Sequence, residues 1–180
     1  YEVGADRERE IRLNSEKSIA SNSPLLWRPD GAGVLLGLRA NDWAEISRRM
    51  YLELSEGPVI VQDSRNSFLA WDSVRNRSSL LIPAVVDIDS REVRELLPEG
   101  RYSDFNQSED GAFITYSQVT PIETSYERNK GTEYEIFSLN VEDLNVTSLS
   151  EKSENRVRAN WDEAGTPSRM RTKEMSSSDR

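Results

Sequence analysis

The sequence predicts an all-β chain assembled from many short antiparallel strands. Apolar residues come in runs of four to eight, and β-branched and aromatic residues dominate those runs, while Gly, Pro, Asn, Asp and Ser fill the gaps. With 180 residues, 36% hydrophobic and 31% charged, the chain can form only a thin core made of short segments. The longest uncharged apolar stretch, residues 80–86, is far too short to span a bilayer as a helix.

Taken in order, strands are expected at 25–27, 34–38, 50–54 and 58–61, then at 68–71, 79–82, 85–88 and 93–97. Further runs lie at 102–105, 113–116, 134–139 and 146–149. One segment competes as a helix. Residues 41–50 open on Asn41-Asp42 and carry good helix formers, but at about ten residues such a helix is marginal alone. A short helix and an irregular loop both remain open there.

Four segments share a pattern of aromatic or polar residue, short turn and apolar run. They are Trp27-Arg28-Pro29-Asp30-Gly31, Trp71-Asp72-Ser73-Val74-Arg75-Asn76, Gln107-Ser108-Glu109-Asp110-Gly111 and Trp161-Asp162-Glu163-Ala164-Gly165. Their first residues are 44, 36 and 54 positions apart, averaging about 45, the spacing of a four-stranded propeller blade. Asp-Gly supplies the positive φ of a tight turn, so Asp30-Gly31 and Asp110-Gly111 are expected to join the first two strands of a blade. Trp27, Trp71 and Trp161 are expected to pack between neighbouring blades.

The stretch Leu26-Trp27-Arg28-Pro29-Asp30-Gly31-Ala32-Gly33-Val34-Leu35 resembles the W-S-P-D-G-x-x-I/L repeat of TolB-type β-propellers, the same repeat that builds the propeller domain of prolyl-oligopeptidase-family serine peptidases. Residues 50–59 and 86–96 resemble that repeat's second hairpin, and the likeness covers roughly residues 10–165. It implies an all-β propeller fragment of about three four-stranded antiparallel blades with partial blades at both ends. The expected units are a segment 1–24 ending a preceding blade, blades at 25–66, 67–100 and 101–155, and the first strand of a further blade at 156–165. An insertion at 120–132 departs from the repeat, and the serine-rich tail 166–180 is expected to be disordered. Residues 9–13 and 158–161 read as strands of flanking blades, which predicts that the propeller continues beyond the chain.

The chain contains no histidine and no cysteine, so it cannot itself hold a Ser-His-Asp or Cys-His unit, a Cys/His zinc site or a disulfide. No Gly-x-Ser-x-Gly elbow or phosphate-binding glycine loop occurs. No catalytic, cofactor-binding or metal-binding residue is therefore assigned. Asp87 and Asp89 begin like a calcium loop, but Arg91 stands where a third oxygen ligand is needed, so they read as a solvated turn. The pairs Glu109-Asp110 and Asp162-Glu163 fall in turns of the repeat and read as structural. Three N-x-S/T sequons, at Asn76, Asn106 and Asn145, are close to the number expected by chance from 11 Asn and 31 Ser and Thr, so they do not point to glycosylation.

A net charge of −9, with Arg48-Arg49 and the other arginines scattered, argues against nucleic-acid or anionic-membrane partners. The resemblance implies the remaining blades and an α/β-hydrolase domain of the same protein as partners, with a peptide or protein as ligand. The function it implies is the non-catalytic propeller of a prolyl-oligopeptidase-like serine peptidase, restricting access of peptides to a hydrolase domain outside this chain. The alternative is a TolB-like binding module without enzymatic activity. Trp43 and Tyr126, in the two longest loops, are the aromatic binding candidates. The compartment, cytoplasm or periplasm, is left open, because a chain without cysteine does not report on redox environment.

Overall fold

A five-stranded antiparallel sheet, a four-stranded one and a terminal two-stranded hairpin make up the fold in a computed structural model, which describes residues 12–56, 68–123, 131–162 and 165–171. In the first sheet, β1 (Ser18–Ile19) and β2 (Leu25–Trp27) lie end to end along one edge of β3 (Gly33–Arg39). The detour between them stays tied to the ladder. Ala20 N–H donates to the Gly37 carbonyl at 2.8 Å, and Gly37 N–H donates to Ser23 Oγ at 2.7 Å. On the other edge of β3, β4 (Ile82–Asp87) pairs from Gly33↔Asp87 to Leu38↔Ile82, and β5 (Val93–Glu95) closes the sheet.

The second sheet is the meander β6 (Tyr102–Gln107), β7 (Phe113–Pro121), β8 (Thr132–Asn140) and β9 (Val146–Ser148). The third is the hairpin of β10 (Val157–Trp161) and β11 (Pro167–Arg171).

Local turn chemistry repeats from sheet to sheet. Gly31, Gly111 and Gly165 all sit at φ 70, and each donates its N–H three residues back, to Arg28, Ser108 and Asp162. Only glycine takes this left-handed conformation without cost, which explains its recurrence after a type I-like reversal. The later turn repeats as well. Asp87 Oδ1 accepts from Asp89 N–H and Ser90 N–H, as Asn140 Oδ1 accepts from Glu142 N–H and Asp143 N–H. Arg91 (φ 63) and Leu144 (φ 59) then close the two turns in the left-handed region, each donating back to Asp87 or Asn140.

The sheets stack in chain order. Leu35, Val85 and Leu96 of the first meet Ile114, Tyr116 and Leu139 of the second in one buried cluster. Tyr116 is walled by Phe137 and Phe105, stacked at 5.6 and 6.0 Å, and by Tyr102 edge-on at 5.5 Å. The other face of the second sheet receives β10, with Ile136 against Ala159 and Phe113 against Trp161 at 6.2 Å. The far face of the first sheet carries its own buried cluster of Leu36, Leu38, Ile82, Ala84 and Val86, packed with Leu13 and Val93.

Several sequence expectations are corrected. The units expected at 25–66 and 67–100 contribute their strands to one sheet, because β3 pairs directly with β4 across the connection 40–81. That connection holds α1 (Trp43–Ser55) and α2 (Ala70–Ser78), joined by an edge-to-face contact of Tyr51 and Trp71 at 5.8 Å. Residues 50–54, expected as a strand, complete α1: Ala44, Glu45, Arg48 and Arg49 start a helix that the apolar run extends rather than breaks. The Trp71 segment is α2 and not a turn of the repeat, with Asp72 in its first turn paired to Arg75 at 3.0 Å.

Of two runs expected at 79–82 and 85–88, Ile82 and Val85–Asp87 join through Pro83 and Ala84 into β4, while Ser79 caps α2 and Leu81 bridges Gly100. Trp27 is 63% exposed rather than packed between sheets, whereas Trp161 does lie between two of them. Part of the tail expected to be disordered, Pro167–Arg171, is a strand, since the turn at Gly165 returns it to the open ladder of β10. Within the insertion 120–132, Thr120 and Pro121 prolong β7 and Thr132 opens β8. The strand expected at 58–61, most of that at 9–13 and the tail 172–180 lie outside the described residues.

Candidate ligand-binding groove

The first strands of successive sheets run beside one another, and the space between them forms a groove. Asn22, Ser23, Pro24, Leu25 and Leu26 form one wall, and Tyr102, Ser103, Asp104 and Phe105 the other, enclosing about 410 Å³. At its end a smaller pocket of about 210 Å³ is lined by Asn22, Ser79, Arg101, Tyr102, Ser103, Val119, Tyr134 and Arg156.

Each polar residue there is placed by backbone constraints. Gly100 pairs with Leu81 through two hydrogen bonds of 2.9 and 3.0 Å, and the Arg101 carbonyl accepts from Val119 N–H at 2.9 Å. A Cβ on Gly100 would lie 2.7 Å from the Tyr102 ring, so glycine permits the close approach that seats Tyr102 and leaves Arg101 beside the pocket. Asn22 Nδ2 donates to the Ser79 carbonyl at 3.2 Å, tying the end of α2 to the detour between β1 and β2.

Asp104 interrupts β6. It has φ 54, where β6 shifts register against β7 between Ser103 and Asn106. Its side chain is 6% exposed and lies under Arg156 and Arg158 of the next strand segment, at 2.8 and 3.0 Å. Burial pushes this carboxyl up, but hydrogen bonds and charge from Arg156, with Ser103 and Arg158, outweigh burial and hold it below the ordinary value. Arg156 is held charged in turn by its hydrogen bonds to Asp104.

Arg101 differs. Its Nη1 donates to the amide oxygen of Asn76 at 3.1 Å, and no carboxylate of the described residues forms an ion pair with it. Burial lowers its pKa, and the neighbouring Tyr134 oxygen offsets this only in part. Tyr134 accepts the Thr132 hydroxyl at 3.0 Å, which leaves its own phenolic proton to donate.

The aromatic candidates fall elsewhere. Trp43 is half-buried at the start of α1, with Arg39 3.7 Å over its ring and its Nε1 donating to the Arg77 carbonyl at 3.2 Å, so it fastens the helical insertion to β3. Tyr126 lies outside the described residues. The carboxylates weighed for chemistry cap turns: Asp87 serves Ser90 and Asp89, Asp110 serves Ser108 and Ala112, and Asp162 serves Thr166. Those hydrogen bonds, led by the ones from Ser90 and Ser108, hold the Asp87 and Asp110 carboxyls below their ordinary values. Arg101 and Tyr134 carried no signal in the sequence, because an arginine without a counter-ion is defined only by what surrounds it.

Compared with protein-family models and with curated proteins, the chain matches none.

Proposed function

We propose that this chain is the non-catalytic β-propeller portion of a serine peptidase of prolyl-oligopeptidase type, restricting which peptides reach a hydrolase domain outside the chain. One observation carries the reading: the meander recurs with the same turns and the same facing. Gly31 and Gly111 are 80 positions apart, and Val34 and Leu36 correspond on that spacing to Ile114 and Tyr116. Arg91 and Leu144 are 53 apart, which matches Ala84 and Val86 to Phe137 and Leu139.

In the second sheet these residues point at the first. In the first sheet Leu36, Ala84 and Val86 belong to the cluster on the opposite face, and the register puts exposed Ile19, Leu25 and Trp27 on that same face. A repeat that always turns one apolar face to the preceding sheet calls for a further sheet there, as blades in a ring require. The helical insertion 40–81 and the lengthened β7–β8 hairpin favour a peptidase propeller, whose blades are irregular, over a regular TolB-type array. The absence of histidine places any catalytic triad outside this chain.

Intact-mass spectrometry of the native gene product, combined with a serine-directed fluorophosphonate label, tests the reading. A product several times heavier than this chain that takes the label supports it. A product of this size overturns it, and a longer product that takes no label leaves the binding propeller in its place.

A further inference from the structure

We infer that the pocket at Arg101 is a carboxylate-binding site that receives the C-terminal end of an extended peptide lying in the adjoining groove. Arg101 offers a planar guanidinium, half removed from water, whose hydrogen bond goes to the neutral Asn76 amide. The nearest carboxylate in the groove, that of Asp104, is already spent on Arg156 and Arg158. Arg156 also lines the pocket, where it adds positive charge while its guanidinium stays engaged with Asp104, and the Tyr134 hydroxyl has a proton to donate.

Two donors, Arg101 and Tyr134, thus line a pocket of about 210 Å³, room for a carboxylate together with the terminal residue that carries it. Against a chain of net charge −9, this local excess of positive charge selects a compact anion and disfavours a polyanion. The pocket shares Asn22, Tyr102 and Ser103 with the longer groove, so a carboxylate seated at Arg101 leads its chain between β2 and β6. Both strands pair on one side only, so each offers an unladdered edge to an extended ligand. The pocket lies wholly within this chain, so its occupancy is independent of any hydrolase domain.

Titration of the full chain, followed by calorimetry and by amide chemical shifts, tests the assignment with three probes: an N-acetylated dipeptide acid, its C-terminal amide and inorganic phosphate. The acid is expected to shift the amides of Gly100, Arg101 and Tyr134 and to bind at least about tenfold more tightly than the amide. Arg101→Gln should abolish that preference and Arg101→Lys restore part of it, while Arg49→Gln on exposed α1 leaves it unchanged. Tyr134→Phe, which keeps the ring, should weaken the acid severalfold without unfolding the chain. Equal binding of acid and amide, shifts that map elsewhere, or no binding of the acid overturns the site. Phosphate binding as tightly as the acid overturns the peptide assignment.

Discussion

Arg156 grips Asp104 with both ends of its guanidinium: Nε donates to Oδ2 at 2.9 Å and Nη2 to Oδ1 at 2.8 Å. This fork joins the bulge of β6 to the segment leading into β10, so it fastens the third sheet to the second where the backbone of Asp104 is left-handed. Asn tolerates that conformation, which makes Asp104→Asn a clean removal of charge. The variant should lose about 1–2 kcal/mol in urea denaturation, less than a fully buried pair would cost because both arginines remain half in water.

The pH dependence of that loss has a definite sign. The folded carboxyl sits below its ordinary value, so its stabilisation is complete above the unfolded pKa of about 3.9 and disappears as pH falls through the folded value. The stability gap between the wild type and Asp104→Asn should therefore be flat above about pH 5 and shrink below about pH 4. A gap that widens on acidification would contradict the pairing.

Thr115 is fully buried on the face of β7 turned to β10, and its hydroxyl has no hydrogen-bond partner. Val has nearly the same shape and suits a strand. Thr115→Val should raise stability by about 1 kcal/mol, read from the urea midpoint at constant slope.

The two Asp-Gly turns separate backbone strain from contact. A Cβ on Gly31 meets nothing within 4 Å, whereas one on Gly111 lies 3.1 Å from Cδ of Pro29 in the first sheet's turn. Gly31→Ala should cost about 1 kcal/mol for the left-handed backbone alone. Gly111→Ala should cost more, because the turns of successive sheets abut there; equal costs in thermal denaturation would mean that they do not.

Trp43→Ala should lower the melting temperature, with a loss of about 1–2 kcal/mol from the Arg39 stack and the bond to the Arg77 carbonyl. Trp43→Phe, which keeps a ring under Arg39, should recover part of it. An unchanged melting temperature would instead free Trp43 for a role in binding.

What the residues specify locally was legible before any coordinates. Asp30-Gly31, Asp110-Gly111 and Gly165 mark three reversals because positive φ is a property of the residue itself, and the runs at 102–105, 113–116, 134–139 and 146–149 fall within or overlap the strands β6 to β9. Met50-Tyr51-Leu52-Glu53-Leu54 was misleading because so short an apolar run fits a helix as well as a strand, and the helix formers upstream decided the outcome. Reading Trp71 as a copy of Trp27 put the repeat out of phase by counting the insertion 40–81 as a unit.

Tertiary structure alone decided the pairing of β3 with β4 across that insertion, the bulge at Asp104 and the placing of Arg101 against the neutral Asn76 amide. Each depends on groups far apart in the chain. A turn is written in four adjacent residues, but a strand's partner, or the neutral partner an arginine finds in place of a carboxylate, exists only after the loops have closed and water has been expelled from between them.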